Sequence, residues 1–381
     1  MNYKVDQNAK TLQKNRQNPQ RQQWPGQRYW IILVTTIILL VSFTAALFVL
    51  LLTENAGSKS PSSSNAENWA EKNAGGNKEQ STQQAVGNST VYATTPSLSD
   101  YIAQSSSVTQ KIDGFIESNN TILVEIGSST CVSKAEKNPD DRIYPASMTK
   151  VMSLLVACEN LTDTTTKLTV SEKNVQYMAA NEGSGYGLKP GEILTVKDLL
   201  YLTSYQSDTV AILTLAEHIS GSEEKFVELM NAKARAIGLN NTHFSNCTGL
   251  HSENNYTTCR EMAAIMIYAL DNPLCKELLT SYAGYSLVTN MRTEADKCKF
   301  YSTWYSSKER FADNPRLETV IVKGGKTGYT DESGVCLVTY AESKNTGKKY
   351  VNVIVGKPKG SGLSETKSTS EVKMIYNKYA E

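Results

Sequence analysis

The chain changes texture three times along its length. Residues 1–28 are polar and carry Lys4, Lys10, Lys14, Arg16, Arg21 and Arg28 against a single Asp6. Ile31 to Leu52 then run without one charged residue. A helix over that run would reach about 33 Å, enough to cross a hydrocarbon core of roughly 30 Å. Tyr29 and Trp30 stand at its near edge, where amphipathic aromatics favour the headgroup layer. Because the basic flank comes first, the N-terminus is expected inside the membrane and everything after Leu52 outside. A cleaved secretory signal would have a shorter apolar region ending in small residues. This run is long and exits through Thr53-Glu54-Asn55, which favours an uncleaved anchor over 29–52.

Residues 53–96 are rich in Ser, Asn, Gly, Gln and Ala and have almost no large apolar side chains. Such a segment has too little apolar surface to bury and reads as a flexible tether, spanning roughly 35–40 Å as a coil. The pattern becomes globular over 97–381. Ile102, Ile112, Phe115 and Ile116 suggest a helical entry segment, and Thr121 to Ile126 a strand. An apolar helix with a polar start follows over Pro145–Ala157. Val196 to His218 is mostly helical, as is Ser222 to Ile237, where Phe226, Met230, Ala234 and Ile237 share one face. Leu317 to Val322, Val335 to Ala341 and Tyr350 to Val355 read as strands. Strands at both ends with helices between them predict a mixed α/β (α+β) domain, its sheet closed by the two chain ends around an inserted helical subdomain.

Net charge is +1, so nothing in the overall balance points to nucleic acid. The seven cysteines, Cys131, Cys158, Cys247, Cys259, Cys275, Cys298 and Cys336, form no C-x-x-C pair, and a zinc site is not expected. Several lie in apolar runs, which favours buried, unreactive thiols. An odd count outside the membrane leaves at least one thiol free or in an intermolecular bond. No metal or other cofactor is called for.

Three short constellations carry candidate chemistry. In Ser147-Met148-Thr149-Lys150 the i and i+3 side chains share one helix face, so the hydroxyl and the amine can meet. A serine hydroxyl needs a neighbour to take its proton. Lys150 can do so only when neutral, a state favoured by burial, by the positive helix end and by a second cation. The S-x-x-K pattern recurs at Ser222–Lys225, Ser364–Lys367 and Ser370–Lys373, copies read as surface residues. Only the Ser147 copy opens an apolar helix behind a proline. The second constellation is Lys326-Thr327-Gly328, where a lysine gives positive potential, a threonine can hold a carboxylate and a glycine admits close backbone approach. Alone it is also compatible with a Gly-rich turn. The third is Ser207-Asp208-Thr209, whose serine could relay a proton.

Together these resemble the S-x-x-K, S-x-N and K-T-G set of penicillin-binding proteins and serine β-lactamases. More specifically the chain resembles the D-alanyl-D-alanine carboxypeptidases of the S11 peptidase family. The resemblance spans roughly residues 120–360. It rests on Pro145–Lys150, Gly187–Glu192, Thr195–Leu200, Ala216–Gly221, Gly249-Leu250 and Lys326–Thr330. It implies that Ser147 attacks the carbonyl between two terminal D-alanines, with Lys150 as general base and Ser207 as proton shuttle. It further implies that Lys326 and Thr327 receive the substrate carboxylate beside Gly328. The N–H groups of Ser147 and Tyr329 would form the oxyanion hole. Peptidoglycan stem peptides would be the substrates and β-lactam antibiotics the inhibitors.

One position departs from the family pattern: Thr209 stands where the family has Asn. Threonine offers one hydroxyl of shorter reach in place of separate donor and acceptor atoms. A shifted reading, Ser204-Tyr205-Gln206, would restore a carboxamide but spoil the distances to flanking blocks. Altered rather than absent activity is expected. A β-lactamase would need a deacylating E-x-x-L-N carboxylate, and no such stretch lies between Ser207 and Lys326. A transpeptidase is disfavoured by the lack of a second large domain. A catalytically silent wall-binding protein is favoured by Thr209 alone. His218, His243 and His251 need no catalytic role. After the last strand the sequence leaves no room for a C-terminal β-domain or amphipathic anchor, so the N-terminal helix is expected to hold the protein at the membrane.

Overall fold

The computed structural model describes residues 98–281, 283–303, 317–356 and 365–381. The expected tail, anchor and tether over 1–28, 29–52 and 53–96 lie outside the described residues. Among the described residues no helix is long and apolar enough to cross a membrane.

The first strands are β1 (Gln110–Lys111), β2 (Asn120–Ile126) and β3 (Cys131–Lys137). Helix α1 (Thr149–Asn160) follows a 3-10 turn at Ala146–Met148. Then come β4 (Lys167–Thr169), α2 (Glu172–Ala180), β5 (Ile193–Thr195), α3 (Val196–Tyr205), α4 (Thr209–Ser220) and α5 (Glu223–Ala236). Next are α6 (Cys259–Asp271), α7 (Pro273–Thr280), β6 (Tyr285–Ser286) and β7 (Lys299–Phe300). Strands β8 (Val320–Thr330), β9 (Gly334–Ser343) and β10 (Lys349–Val355) and helix α8 (Glu365–Tyr379) complete the described chain.

The main sheet has six strands in the order β1-β3-β2-β10-β9-β8. All its pairings are antiparallel except β1 with β3. Both chain ends therefore build one sheet, and the helices between β3 and β8 lie outside its strand order, as expected from the sequence. Alternation along each strand assigns side chains to two cores. Ile122, Val124, Cys336, Val338, Val351 and Val353 face the large helical core with α1, α3, α4 and α6. Leu123, Leu337, Tyr350 and Ile354 face the other way, onto Val372, Ile375 and Tyr376 of α8. A sheet covered on both faces has little freedom to slip register, because a one-residue shift would swap the two cores.

Local signals set most boundaries. Thr195 and Asp198 form a reciprocal capping box at α3. Asp208, Ser222, Thr258 and Asn272 cap the helices that follow them. Gly221, at φ +86°, ends α4.

Two expectations need correction and one gains detail. The entry segment is not a helix: Leu98–Tyr101 is a single 3-10 turn, and Ile112 and Ile116 are buried in irregular chain against α8. Its apolar spacing reflects packing onto a core rather than helical periodicity. The stretch Val196–His218 is mostly helical, as expected, in two helices with a break at Gln206–Asp208, where Ser207 takes φ +54°. Lys373, read as a surface residue, is buried on α8. Ser222 is the cap of α5, and Ser364 lies outside the described residues.

Helix α8 is tied back to the start of the sheet by Glu371. Its buried carboxylate accepts from the amides of Glu117, at 2.6 Å, and Ser118, at 3.3 Å, and from the Ser118 hydroxyl. Glu371→Ala would strip the buried Ser118 groups of their acceptor. The expected loss is about 2–3 kcal/mol of unfolding free energy, read by urea denaturation. An unchanged midpoint would show that α8 is held by apolar packing alone.

Candidate active site

Ser147 sits in the 3-10 turn between Pro145 and α1. The turn is held by backbone crowding on two sides. A Cβ on Gly249 would lie 2.1 Å from the Ala146 carbonyl oxygen, and one on Gly328 would lie 3.0 Å from the Ser147 nitrogen. The two glycines let two backbone segments close on the serine where any other residue would push them away. Ala146 itself has φ +48°, a conformation costly for a residue with a Cβ.

One helical turn on, Lys150 is fully buried and its Nζ lies 3.3 Å from Ser147 Oγ. It also donates to the Thr248 carbonyl. Burial pulls its pKa down to about 8, while the Cys247 thiol and the Asp208 carboxylate oppose the shift. Burial is the largest influence on Lys150, as the sequence led one to expect.

Strand β8 forms the facing wall, at the edge of the sheet. Lys326-Thr327-Gly328 lies within the strand, not at its start. Lys326 is as deeply buried as Lys150 and donates to Ser207 Oγ at 3.1 Å and to the Thr327 carbonyl at 3.0 Å. Burial first, then the Lys150 charge, hold its pKa well below the usual lysine range. Thr327 Oγ1 meets Thr303 Oγ1 at 3.3 Å. Tyr329 is half exposed at the rim, its hydroxyl donating to Asp331 at 2.9 Å.

The cleft between these walls encloses about 380 Å³ and is bordered by Ser147, Ser207, Thr327, Gly328 and Tyr329. Five of the eight residues singled out from the sequence thus line one cavity, and Lys150 and Lys326 reach it through Ser147 and Ser207. Thr209 does not line it. It is the first residue of α4, buried, and its amide donates to the Ser184 carbonyl at 2.8 Å.

Sequence reasoning passed over several contributors. Asn246 is buried in the loop beneath Ser147, and its side chain accepts from the Gly249 amide at 2.7 Å and from Thr248 Oγ1 at 3.1 Å. It thereby fixes the carbonyl that receives Lys150. Gln206, weighed in the sequence only as the carboxamide of a shifted motif, donates to the Tyr301 carbonyl at 2.7 Å and borders the cleft beside Glu182, Ser184 and Thr303. Gly249 lay in a matched block without a role; Asn246, Glu182, Ser184 and Thr303 carried no signal in their immediate sequence. All seven cysteines are unbridged, and all but Cys298 are buried. Burial raises the thiols of Cys131 to about 11 and of Cys336 to about 12, far from reactive thiolates. No cluster able to hold a metal ion occurs among the described residues. His251 packs edge-on against Tyr144 and lies 3.6 Å from Glu332. His243 stacks on Tyr256.

Comparison with known proteins gives a consistent result. The family model described as D-alanyl-D-alanine carboxypeptidase matches residues 105–359. The chain is 34% identical over 229 residues to the D-alanyl-D-alanine carboxypeptidase DacF of Bacillus subtilis, covering 60% of this chain and 55% of the relative. It is 30% identical over 234 residues to the D-alanyl-D-alanine carboxypeptidase DacA of Escherichia coli, covering 59% and 53%. The chain spans about half the length of the curated relatives it matches. Among solved structures, the Streptomyces K15 DD-transpeptidase superposes with a TM-score of 0.59 at 23% identity, over 71% of this chain and all of that one. Penicillin binding protein 5 from Haemophilus influenzae gives 0.56 at 26%, over 70% and 71%.

The crowding at the Ser147 turn is testable without any assumption about the reaction. Gly249 has φ +76°, so Gly249→Ala adds conformational strain to a collision with backbone. A loss of about 2–4 kcal/mol is expected, seen as a fall in melting temperature. A variant as stable as the parent would mean that the turn is free to move.

Proposed function

The chain belongs to the D-alanyl-D-alanine carboxypeptidase family of S11 peptidases, and we propose that it removes the terminal D-alanine from peptidoglycan stem peptides through an acyl-enzyme on Ser147. The observation that carries this reading is the pairing of Ser147 Oγ with a buried lysine whose pKa is drawn down to about 8. An amine of that pKa is neutral often enough near pH 8 to accept the hydroxyl proton as the serine attacks. The resulting tetrahedral oxyanion would be met by the backbone N–H groups of Ser147 and Tyr329, each worth about 3–4 kcal/mol in comparable sites.

Lys326 donates to Ser207, so Ser207 is oriented to pass its own proton to the departing D-alanine nitrogen. It is then reprotonated by the Lys150 ammonium, which carries the proton taken from Ser147, so Lys150 returns to its neutral form. Thr327 and the Lys326 charge receive the terminal carboxylate, the feature that separates a carboxypeptidase from an endopeptidase. Water completes the cycle by releasing the shortened stem. A β-lactam offers an amide carbonyl and a carboxylate in a comparable arrangement and would acylate Ser147. The anchor over 29–52 would hold this domain outside the membrane, on the tether 53–96, within reach of the wall. Thr209 acts here through the loop it supports and not by contacting substrate. That favours an active enzyme over a silent binding protein.

The first test is D-alanine release from a pentapeptide ending in D-Ala-D-Ala, using the full chain in detergent. Release that penicillin blocks is expected. It should fall by at least a thousandfold in Ser147→Ala, in line with losses of catalytic nucleophiles, and stay at the parental rate in Ser222→Ala. Equal rates in the two variants would sink the assignment.

The pH dependence follows from the lysine. Lys150 accepts a proton only in its neutral form, whose fraction rises with pH through about 8. The rate of penicillin acylation should therefore climb roughly tenfold per pH unit below 8 and level off above it. Stopped-flow acylation from pH 6 to pH 10 reads this directly. A flat profile would remove Lys150 as the base.

A further inference from the structure

Glu182 breaks two local rules at once. Helix α2 ends in a Schellman-type turn: the Gly183 amide reaches back to the Met178 carbonyl at 2.9 Å, and Asn181 occupies the cap. Glu182 holds the left-handed position of that turn, with φ +52°, a place usually taken by glycine. Its carboxylate also stands at the negative end of the helix, where a cation is favoured. Nothing local compensates, for among the described residues no hydrogen bond or ion pair engages its side chain. Yet it is exposed and borders the same cleft as Ser147, Ser207 and Thr327.

The position is also firmly held. A Cβ on Gly183 would lie 2.8 Å from Thr209 Oγ1 and 3.1 Å from Met178 Cγ, so the turn sits directly on the start of α4. The Thr209 amide donates to the Ser184 carbonyl at 2.8 Å, and the buried Asp208 carboxylate accepts from the Tyr186 amide at 2.6 Å. The carboxylate is thus presented by a fixed wall and not by a wandering loop. A locally unfavourable residue kept in place at a cleft points to a ligand that needs it.

We propose that Glu182 is a specificity-determining residue that pairs with a primary ammonium group carried by the stem peptide upstream of its D-Ala-D-Ala terminus. This rests on the reading of the cleft given above. Thr327, with Lys326 behind Ser207, makes one part of the cleft rich in hydrogen-bond donors and suited to the terminal carboxylate, whereas Glu182 would repel that group. A peptide with an anionic end and a cationic side chain further back matches both parts. Such an amine is free in an uncross-linked stem and consumed as an amide in a cross-linked one. The site would therefore favour uncross-linked stems.

The test uses two pentapeptides ending in D-Ala-D-Ala that differ in one feature. One carries lysine at the third position, and the other Nε-acetyl-lysine. Binding is measured by calorimetry on the full chain in detergent, with Ser147→Ala so that no turnover occurs. Turnover on the active enzyme is followed separately. The free-amine peptide should bind about three- to five-fold tighter, the range for a solvent-exposed ion pair. The preference should shrink at 0.5 M salt and vanish in Glu182→Gln. In turnover it should appear in KM and leave kcat unchanged. Glu182→Gly should raise the melting temperature while losing the preference, because glycine suits the turn. Equal binding of the two peptides, or a preference that survives Glu182→Gln, would overturn the proposal. If turnover fails on both peptides while the binding preference stands, it is the carboxypeptidase reading that falls.

Discussion

Lys150 and Lys326 each bury an ammonium-bearing side chain almost completely at one cleft, and no carboxylate forms an ion pair with either among the described residues. Burial of an unpaired charge is costly, and a lysine answers by giving up its proton more readily. The hydrogen-bond partners keep that response intact. Ser147 Oγ, the Thr248 carbonyl, Ser207 Oγ and the Thr327 carbonyl are neutral oxygens. They satisfy the amines without the strong upward pull of an adjacent carboxylate. Asp208 is the nearest exception. Its charge raises the Lys150 pKa somewhat, yet burial pushes its own pKa up and weakens that influence. The chemistry therefore depends on a dry site bounded by neutral acceptors.

Keeping such a site dry demands rigid walls. The sheet is clamped between two cores, so β8 approaches the Ser147 turn as a fixed edge. Contact is close enough that a Cβ on Gly328 would press on the Ser147 and Met148 amides at 3.0 and 3.1 Å. The remaining strain gathers at the same place. Four non-glycine residues among those described have positive φ: Asn138, Ala146, Glu182 and Ser207. Asn138 is of a type that tolerates the conformation. The other three surround the cleft: Ala146 precedes the nucleophile, Ser207 receives Lys326, and Glu182 borders the opening. Each would relax in isolation and is held by the packed structure around it.

The fold was legible from the sequence wherever burial on one or two faces imposed a period. The strand at Thr121–Ile126, the apolar helix after Pro145, and the helices around Leu199 and Phe226 follow from spacing alone. The chain order of strand, helices and strand fixed the closure of the sheet. Two kinds of error have physical causes. Ile112 and Ile116 imitate helical spacing because an irregular segment that bends at Gly114 can also bury residues four apart against a neighbouring helix. The break at Ser207 is hidden because a strained serine leaves no glycine or proline to mark it. At the site, Ser147, Lys150, Lys326 and Thr327 were readable because their chemistry needs fixed residue types at fixed spacing. Asn246 and Thr303 were not. Each acts through the backbone or through one neighbouring hydroxyl, and tertiary packing alone brings them to the cleft.

Thr209 has a place in the packing that the motif alone does not suggest. Taken as one letter, it offers a hydroxyl in place of a carboxamide and an expectation of altered activity. In the structure it belongs with Asp208, and together they hold the segment from Gly183 to Tyr186: the Thr209 amide on Ser184, the Asp208 carboxylate on the Tyr186 amide, and the Thr209 side chain against Gly183. The residue they position next to the cleft is Glu182. The buried Thr209 hydroxyl and the unpaired Glu182 carboxylate on the adjoining turn are thus two parts of one packing arrangement. Asp208 and Thr209 therefore set one wall of the cleft, while the Ser147–Lys150 pair is held by other elements, the Ser147 turn, α1 and the Thr248 carbonyl.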